Sequence, residues 1–283
     1  MGMSELRIWV DGHLVDPWAP AVSAVDHGIT VGDGGFETAK IVRGVPFAVN
    51  RHLARLDRTL AGLGLPAPNH DLIRAGIEAV LGAGDEIAFG RLRWTVTGGR
   101  GPLASDRDDS PLTTIVTAAS QDPPPAFGAV VTSPWVRNER SATAGLKTTS
   151  YAENVVALAE AKARGGMEAL LANSRGELCE GTGSNVFVVQ GDRISTPPLA
   201  SGCLAGISRE LVLEWGRAAG LSIVEEALPI QALASADEVF LTSSIKDVFP
   251  VSVLDGRALP HPGPITAQLA GIFAQRSAES SEP

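Results

Sequence analysis

Apolar and polar residues alternate along two stretches near the N-terminus, and each stretch ends at a tight-turn pair. Leu6–Val10 is followed by Asp11-Gly12, and Gly34–Val42 is followed by Arg43-Gly44. An alternation with a period of two is typical of a strand buried on one face, and Asp-Gly is a favoured hairpin turn. The pattern therefore predicts two β-hairpins in this part of the chain.

A helical period follows the second hairpin. Asn50 is predicted to be the N-cap of a helix that runs to Leu63, and Gly64 and Pro66 would end it. Four residues spaced three to four apart form its apolar face: Leu53, Leu56, Leu60 and Leu63. A second helix is predicted over residues 71–81.

Further apolar runs predict strands and helices in alternation. The predicted strands cover 91–97, 112–118, 129–133, 168–172, 186–190 and 239–242, and the predicted helices cover 151–164 and 208–219. Both kinds of element occur throughout, so the sequence predicts a mixed α+β fold. The tail over 275–283 is rich in Ser and Glu and is predicted to be frayed.

A run of three prolines within Gln121–Gly128 is the strongest break in the pattern. Consecutive prolines cannot continue a helix or an inner strand. The sequence therefore predicts an N-terminal α/β domain over 1–120, a linker over 121–128, a C-terminal domain over 129–276 and a flexible tail over 277–283.

The composition fits a folded protein and argues against nucleic acid and membranes as partners. Of the 283 residues, 44% are hydrophobic and 19% are charged, which excludes a disordered chain. The formal net charge of -9 offers no basic surface, so no nucleic-acid partner is expected. No apolar run approaches the roughly 20 residues of a membrane helix, so we expect a cytoplasmic protein without a membrane partner.

Cysteine and histidine give no sign of a metal site. Cys179 and Cys203 form no C-x-x-C motif, and the five histidines show no metal-binding spacing. The sequence therefore predicts neither a disulfide framework nor a bound metal.

The chain has only four lysines beside nineteen arginines, so each lysine is a candidate reactive amine. Lys40 and Lys162 are predicted to be exposed charges, and Lys246 is predicted to pair with the adjacent Asp247. Lys147 has no acidic residue within five positions and follows a small apolar segment, as expected of a desolvated amine with a lowered pKa. An ordinary surface lysine is the alternative interpretation.

Two glycine-containing segments could bind an anion. Glu177–Asn185 leads into an apolar strand, and its glycines would let the backbone approach a ligand closely. Cys203–Glu210 opens a helix near Gly206 and Ser208, where free amides form a natural anion site. A hairpin turn and a plain N-cap are the alternatives. Neither segment matches a P-loop or the dinucleotide fingerprint.

Taken in order along the chain, six segments resemble the class IV aminotransferases, the pyridoxal-phosphate enzymes of fold type IV. They are Asp26–Thr38, the H-x-x-R-L motif of His52–Leu56, Lys147, Glu180–Phe187, Ala205–Arg209 and Glu238–Ser244. Each motif alone is weak, but six in this order are specific. The resemblance covers most of the chain and implies an N-terminal α/β domain, a C-terminal domain with a barrel-like core, and a homodimer.

The resemblance also implies roles for individual residues. Lys147 would hold pyridoxal 5'-phosphate as a Schiff base and act as the general base. Glu180 would keep the pyridine nitrogen protonated, which makes the ring an electron sink. Further implied cofactor-binding residues are Arg55, Tyr151, Ser184, Asn185, Leu204, Ile207, Ser208, Ser243 and Ser244. Within this set the phosphate would be bound by Arg55, Ile207, Ser208 and Ser244, and the phenolic oxygen would be near Tyr151.

The cofactor motifs do not separate the branches of the family. D-amino-acid transaminases, branched-chain L-amino-acid transaminases, 4-amino-4-deoxychorismate lyases and R-selective amine transaminases share them. Gly32–Thr38 is more similar to the D-amino-acid and lyase branches, because branched-chain enzymes carry F-E-G-x-R there. We therefore predict a D-amino-acid donor and a 2-oxo acid acceptor, pyruvate or 2-oxoglutarate, with relaxed specificity. The lyase is the alternative, and a branched-chain L-amino-acid transaminase or an R-selective amine transaminase is less favoured.

The group that binds the substrate carboxylate is left open by the resemblance. Bacillus-type D-amino-acid transaminases use an R-x-H motif that is missing from Thr97–Arg107. Phe36 and Thr38 are predicted substrate contacts, and Arg100 or Arg107 could bind the carboxylate from this loop. Plain loop charges beside the neighbouring aspartates are the alternative for both arginines.

Overall fold

The structure, a computed structural model, describes residues 6–283, which form two compact units. The first unit contains the described residues up to Pro123, together with Leu146–Tyr151 and Glu282. The second contains Pro124–Gly145, Ala152–Ser281 and Pro283. Lys147 is therefore part of the first unit, although its sequence position lies within the predicted C-terminal domain.

An antiparallel six-stranded sheet forms the first unit. Its strands are β1 (Leu6–Val10), β2 (His13–Val15), β3 (Gly34–Val42), β4 (Val45–Pro46), β5 (Phe89–Thr97) and β6 (Thr113–Ser120), in the order β2-β1-β6-β5-β3-β4. The helices are α1 (His27–Thr30), α2 (Val49–Leu63) and α3 (His70–Gly82). Helix α2 packs on β3 and α3 packs on β6, which buries the apolar residues between helices and sheet.

Both predicted hairpins are confirmed, but the start of α2 is not where the sequence predicts it. The helix begins at Val49, after Ala48 in the left-handed region at φ 58°. The Asn50 side chain accepts a hydrogen bond from Arg74 instead of capping the helix. The cap is the carboxylate of Glu282, which accepts from the Val49 and Asn50 amides at 3.0 and 2.9 Å. A cap so distant in sequence leaves no local signal.

The second unit is built on a mixed nine-stranded sheet. The strands are β7 (Gly128–Arg137), β8 (Glu168–Asn173), β9 (Leu178–Gly181), β10 (Asn185–Gln190), β11 (Arg193–Thr196), β12 (Ile223–Glu225), β13 (Glu238–Ser243), β14 (Asp247–Leu254) and β15 (Arg257–Ala258). Eight of them follow the order β12-β11-β10-β13-β14-β7-β8-β9, and β15 pairs with β14. The helices are α4 (Ala152–Ala163), α5 (Ile207–Ala218) and α6 (Pro264–Glu279). The mixed fold predicted from the sequence is confirmed.

Helix α6 corrects the predicted frayed tail. It starts with Pro264 at a position where a missing amide costs nothing, and it buries Thr266, Leu269 and Phe273. Once nucleated, a helix gains one hydrogen bond for each residue added. The helix therefore continues through the polar residues to Glu279, beyond the last buried position.

Two further observations concern composition. Cys179 and Cys203 are buried free thiols. No helix within residues 6–283 is long and apolar enough to cross a membrane.

Candidate active site

Lys147 is held at the start of β3 by backbone pairing. The Phe36 amide donates to the Lys147 carbonyl at 3.0 Å, and the Thr149 amide donates to the Gly34 carbonyl at 2.8 Å. The lysine side chain is half-buried, with Nζ 4.4 Å from the centre of the Phe36 ring and 5.9 Å from that of Tyr151. The two rings meet edge to face, 5.3 Å apart. The amine thus lies against aromatic faces, which attract a cation.

A buried charge cluster occupies the other face of β3. Glu37 is fully buried, and its carboxylate accepts from His52 Nδ1 at 2.6 Å and from Arg55 Nε and Nη2 at 2.8 and 2.6 Å. His52 and Arg55 meet it together because residues three apart share one face of α2. Burial alone would raise the pKa of Glu37, but Arg55 and the hydrogen bonds outweigh it and lower the pKa to about 2.

The same cluster affects His52 and the role predicted for Arg55. Burial lowers the pKa of His52, and the nearby Glu37 only partly offsets this shift. Two nitrogens of Arg55 are committed to Glu37, so the guanidinium is fixed in orientation. The H-x-x-R-L motif therefore builds a rigid, charge-balanced support beneath β3.

The other lysines only partly follow the predictions. Lys162 is exposed, as predicted. The prediction for Lys40 was wrong, because this side chain is 7% exposed with Nζ 5.0 Å from the Phe47 ring centre. The prediction for Lys246 was also wrong, since its Nζ lies 3.1 Å from Glu168 Oε1 in an ion pair across the sheet. Partners brought together by strand pairing are invisible to a local reading of the chain.

Glu180, on β9, is fixed by two groups of the second unit. The Leu204 amide donates to Oε2 at 2.9 Å, and Arg137 Nε lies 3.2 Å from Oε1. Arg137 is itself oriented by Glu153 and Asn154, to which it donates at 3.0 and 3.1 Å. A neighbouring guanidinium favours the charged form of a carboxylate. This arrangement presents a pre-oriented carboxylate that can pair with a cationic ring nitrogen.

The start of α5 offers free amides. Gly206 is the N-cap and no side chain caps the helix, so the amides of Ile207 and Ser208 are available to an anion. The Asn185 side chain donates to the Leu204 carbonyl at 2.8 Å and lies directly against Gly206. A Cβ at position 206 would overlap Asn185 Oδ1, so this close approach requires glycine.

Of the four predicted serines, Ser184 and Ser243 have side-chain hydrogen-bond partners within the second unit. The Ser184 hydroxyl donates a hydrogen bond to Glu168 Oε2. The Ser243 hydroxyl accepts from the Lys246 amide at 3.3 Å. Ser244 is half-buried in the turn that joins β13 and β14. Glu168 therefore ties the segment around Ser184 to the turn around Lys246.

Neither arginine predicted to bind the substrate carboxylate has the expected surroundings. Arg107 donates to both oxygens of Asp33, at 2.7 and 2.6 Å. Arg100 is exposed. Phe36 is buried and Thr38 is half-buried, on the same face of β3.

Arg93 is not among the site residues predicted from the sequence. It pairs with Thr38 across β3 and β5, and its Cζ lies 3.8 Å from the Phe36 ring centre. The alternation along β5 could have revealed it, because a strand paired in register with β3 shares its faces.

The donor set fits pyridoxal phosphate, which carries an aldehyde, a basic ring nitrogen and a phosphate. Lys147 supplies an amine for the aldehyde, and Glu180 supplies an oriented carboxylate for the nitrogen. The amides at the start of α5 suit the phosphate, in a cradle that a Cβ would fill. Each chemical requirement of the group is met by residues of the chain.

Comparisons with known proteins give a matching family and similar enzymes. The family model described as amino-transferase class IV matches residues 34–254. A putative branched-chain-amino-acid aminotransferase of Methanocaldococcus jannaschii is 31% identical, with 95% of each chain covered. The D-alanine aminotransferase of Bacillus licheniformis is 29% identical, with 92% of this chain and 93% of the relative covered. The crystal structure of a branched-chain aminotransferase from Thermoproteus uzoniensis with norvaline matches with a TM-score of 0.88 at 28% identity, covering 95% of this chain and 93% of that one.

Proposed function

Because the chain belongs to the class IV aminotransferases, whose cofactor is pyridoxal phosphate, we propose that it transfers an amino group from a D-amino acid to a 2-oxo acid. Pyruvate and 2-oxoglutarate are the proposed acceptors. Two residues of β3 support the proposal. Thr38 and Lys40 occupy the positions where branched-chain enzymes have the Gly and Arg of F-E-G-x-R. The B. licheniformis relative, described as a D-alanine aminotransferase, supports the same donor class.

The roles proposed for the chain's residues follow from their surroundings. When bound, pyridoxal phosphate supplies an aldehyde that captures amines and a ring that withdraws electrons from the substrate α-carbon. Lys147 Nζ would anchor the aldehyde carbon and, once released by the substrate amine, move the proton at the α-carbon. Tyr151, whose ring lies 5.9 Å from Nζ, would orient the phenolic oxygen.

Other residues of the chain would bind the remaining groups of the cofactor. Glu180 would keep a proton on the ring nitrogen, since Arg137 and the Leu204 amide fix its carboxylate in place. The amides of Ile207 and Ser208, with the Ser244 hydroxyl, would bind the phosphate. Arg55 is the proposed further phosphate ligand.

A half-reaction tests the proposal. The visible absorbance of the purified holoenzyme is recorded before and after addition of D-alanine, L-alanine or L-valine, each without any oxo acid. We expect D-alanine to remove the band of the lysine-bound cofactor, and pyruvate to restore it. Loss of the band with L-valine but not with D-alanine would refute the D-amino-acid donor and favour a branched-chain transaminase.

The lyase alternative is decided by a separate assay. A lyase releases pyruvate from 4-amino-4-deoxychorismate without any acceptor, whereas a transaminase needs a 2-oxo acid in stoichiometric amount. We expect no such pyruvate release. We also propose a homodimer, as the sequence resemblance implies, and light scattering of the purified protein measures this state.

A further inference from the structure

Arg93 differs from the buried arginines of the structure in lacking an anionic or carbonyl partner. Arg55 donates to Glu37, Arg209 donates to Glu225, and Arg7 donates to backbone carbonyls. Arg93 is half-buried, and its Nε donates to the Thr95 hydroxyl at 3.3 Å. Across residues 6–283 it takes part in no ion pair. A guanidinium that has lost part of its hydration without gaining a carboxylate is poised to bind one.

The surroundings of Arg93 would not repel an anion. Strands β3, β5 and β6 contain one acidic residue, Glu37, and its carboxylate is on the opposite face with His52 and Arg55. Lys40 and Arg91 are paired across the strands and share the face of Arg93. In a protein of net charge -9, this face is locally basic. Burial lowers the pKa of Arg93, because its charged form is less well solvated here than in water.

The distance from Arg93 to Lys147 suits an α-amino acid. Arg93 Cζ lies 3.8 Å and Lys147 Nζ lies 4.4 Å from the centre of the same Phe36 ring, so the two cationic centres are at most 8.2 Å apart. In a bidentate pair the guanidinium and carboxylate carbons are about 4 Å apart, the α-carbon is one bond further, and a base acts from about 3 Å. Laid end to end these steps span about 8.5 Å, so a substrate that bends at its α-carbon fits between two centres at most 8.2 Å apart.

We propose that Arg93 binds the α-carboxylate of the amino-acid substrate and so places the α-carbon within reach of Lys147. This inference rests on the proposed transaminase function. It replaces the two loop arginines suggested by the sequence, since Arg107 is neutralised by Asp33 and Arg100 is exposed. It also assigns a substrate class: carboxylate-bearing amines are preferred over simple amines, because only the former can occupy the guanidinium.

The test compares Arg93→Gln and Arg93→Lys with Arg91→Gln as a matched control. Arg91 lies on the same strand and face but is exposed, and it donates to Gln121. The first measurement is the affinity of the holoenzyme for propionate, an unreactive analogue of alanine without the amine, followed by the perturbation of the visible spectrum. The second is KM and kcat for D-alanine and for (R)-1-phenylethylamine, which has no carboxylate.

We expect Arg93→Gln to weaken propionate binding and to raise KM for D-alanine about 10- to 100-fold, the range of a lost charge-assisted pair. Arg93→Lys should recover only part of the affinity, because an ammonium lacks the planar fork. Arg91→Gln should change either value less than about threefold. The rate with (R)-1-phenylethylamine should be unaffected by Arg93→Gln.

Propionate affinity that is unchanged in a folded Arg93→Gln protein would overturn the inference, as would an equal loss in Arg91→Gln. Thermal unfolding of each variant shows whether the fold is kept, and Arg93→Lys provides the comparison if the glutamine variant is unstable. A different result would refute the proposed D-amino-acid function without refuting the role of Arg93. If D-alanine leaves the wild-type spectrum unchanged while propionate binding still requires Arg93, the donor is wrong and the carboxylate site stands.

Discussion

At the scale of single residues, partners decide what each arginine can do. Arg55 is paired with Glu37 and Arg107 is paired with Asp33, and the second pair neutralises the charge that Arg107 would need to bind a substrate carboxylate. Arg93 keeps its charge available beside Phe36. The residue type alone does not distinguish the three, since what matters is the set of groups that strand pairing and helix packing bring near each guanidinium.

Lys147 carries the first prediction at this scale. Lys147→Ala should lower turnover by at least the 10²- to 10⁴-fold that a general base contributes, because both the anchor and the base are removed. The side chain is only half-buried, so we expect the fold to be kept. Turnover and circular dichroism are measured beside Lys162→Ala, which alters an exposed lysine. Borohydride reduction and peptide mapping should place the cofactor label on Lys147, and a label on another lysine would refute the assignment.

The contribution of Glu37 to the free energy of unfolding should depend on pH. Its pKa falls from 4.5 to about 2 on folding, so its ion pair stabilises the protein fully above pH 4.5 and this stability is lost as the pH falls toward 2. Glu37→Gln should destabilise the first unit by about 3–5 kcal/mol at pH 7, because it leaves Arg55 buried without a counter-charge.

Urea unfolding of wild type and Glu37→Gln at several pH values measures this effect. The difference in unfolding free energy should be largest near neutral pH and should shrink between pH 4.5 and 2. Glu78→Gln, at an exposed position of α3, is the control and should differ little from wild type at any pH. A Glu37→Gln difference that is constant across the range would show that Glu37 is not ionised by its partners.

At the scale of elements, the sequence predicts what is decided locally. The hairpins β1–β2 and β3–β4 follow from alternation and turn residues, and Gly64 ends α2 in the left-handed region at φ 71°. The start of α2 could not be predicted, since its cap comes from Glu282. The same holds for Lys246, which pairs with Glu168 only after β8 and the β13–β14 turn come together. The sequence motifs identify candidate site residues, but they do not reveal which other side chains these residues contact.

Gly206 should be needed for the start of α5 to bind pyridoxal phosphate. Gly206→Ala has an allowed backbone at φ -73°, yet its Cβ would overlap the Asn185 amide, which is tied to the Leu204 carbonyl. The displacement should disturb the free amides of α5, and we expect affinity for pyridoxal phosphate to fall about tenfold or more, as for a lost charge-assisted hydrogen bond.

Titration of the apoprotein with pyridoxal phosphate, followed by absorbance, measures the affinity. Gly271→Ala is the matched control, because no atom lies within 4 Å of its Cβ on α6. This control should bind the cofactor normally and should stabilise the helix by about 0.5–1 kcal/mol. Wild-type affinity in Gly206→Ala would mean that the α5 amides do not bind the phosphate.

At the scale of the whole molecule, each compact unit has its own hydrophobic core. The core of the first unit includes Leu56 and Trp94, and a core of the second includes Leu241 and Phe249. The segment with Lys147 belongs by its contacts to the first unit, although residues on both sides of it belong to the second. The chain order alone predicts a single division at the prolines. The segment with Lys147 belongs to the first unit because its backbone is hydrogen-bonded to Gly34 and Phe36. Sequence periodicity does not reveal this pairing.

Separate cores lead to the last prediction, made for hydrogen exchange. Leu56→Ala and Leu241→Ala each remove a fully buried side chain, which costs about 2–5 kcal/mol. Leu56→Ala should speed amide exchange in β3, β5 and β6, and Leu241→Ala should speed it in β10, β13 and β14, because local opening follows the stability of each cooperative unit. Leu56→Met and Leu241→Met nearly conserve volume and should change exchange much less. If either alanine variant sped exchange equally in both sets of strands, the chain would unfold as a single cooperative unit, and the two cores could not be treated as independent contributions to stability.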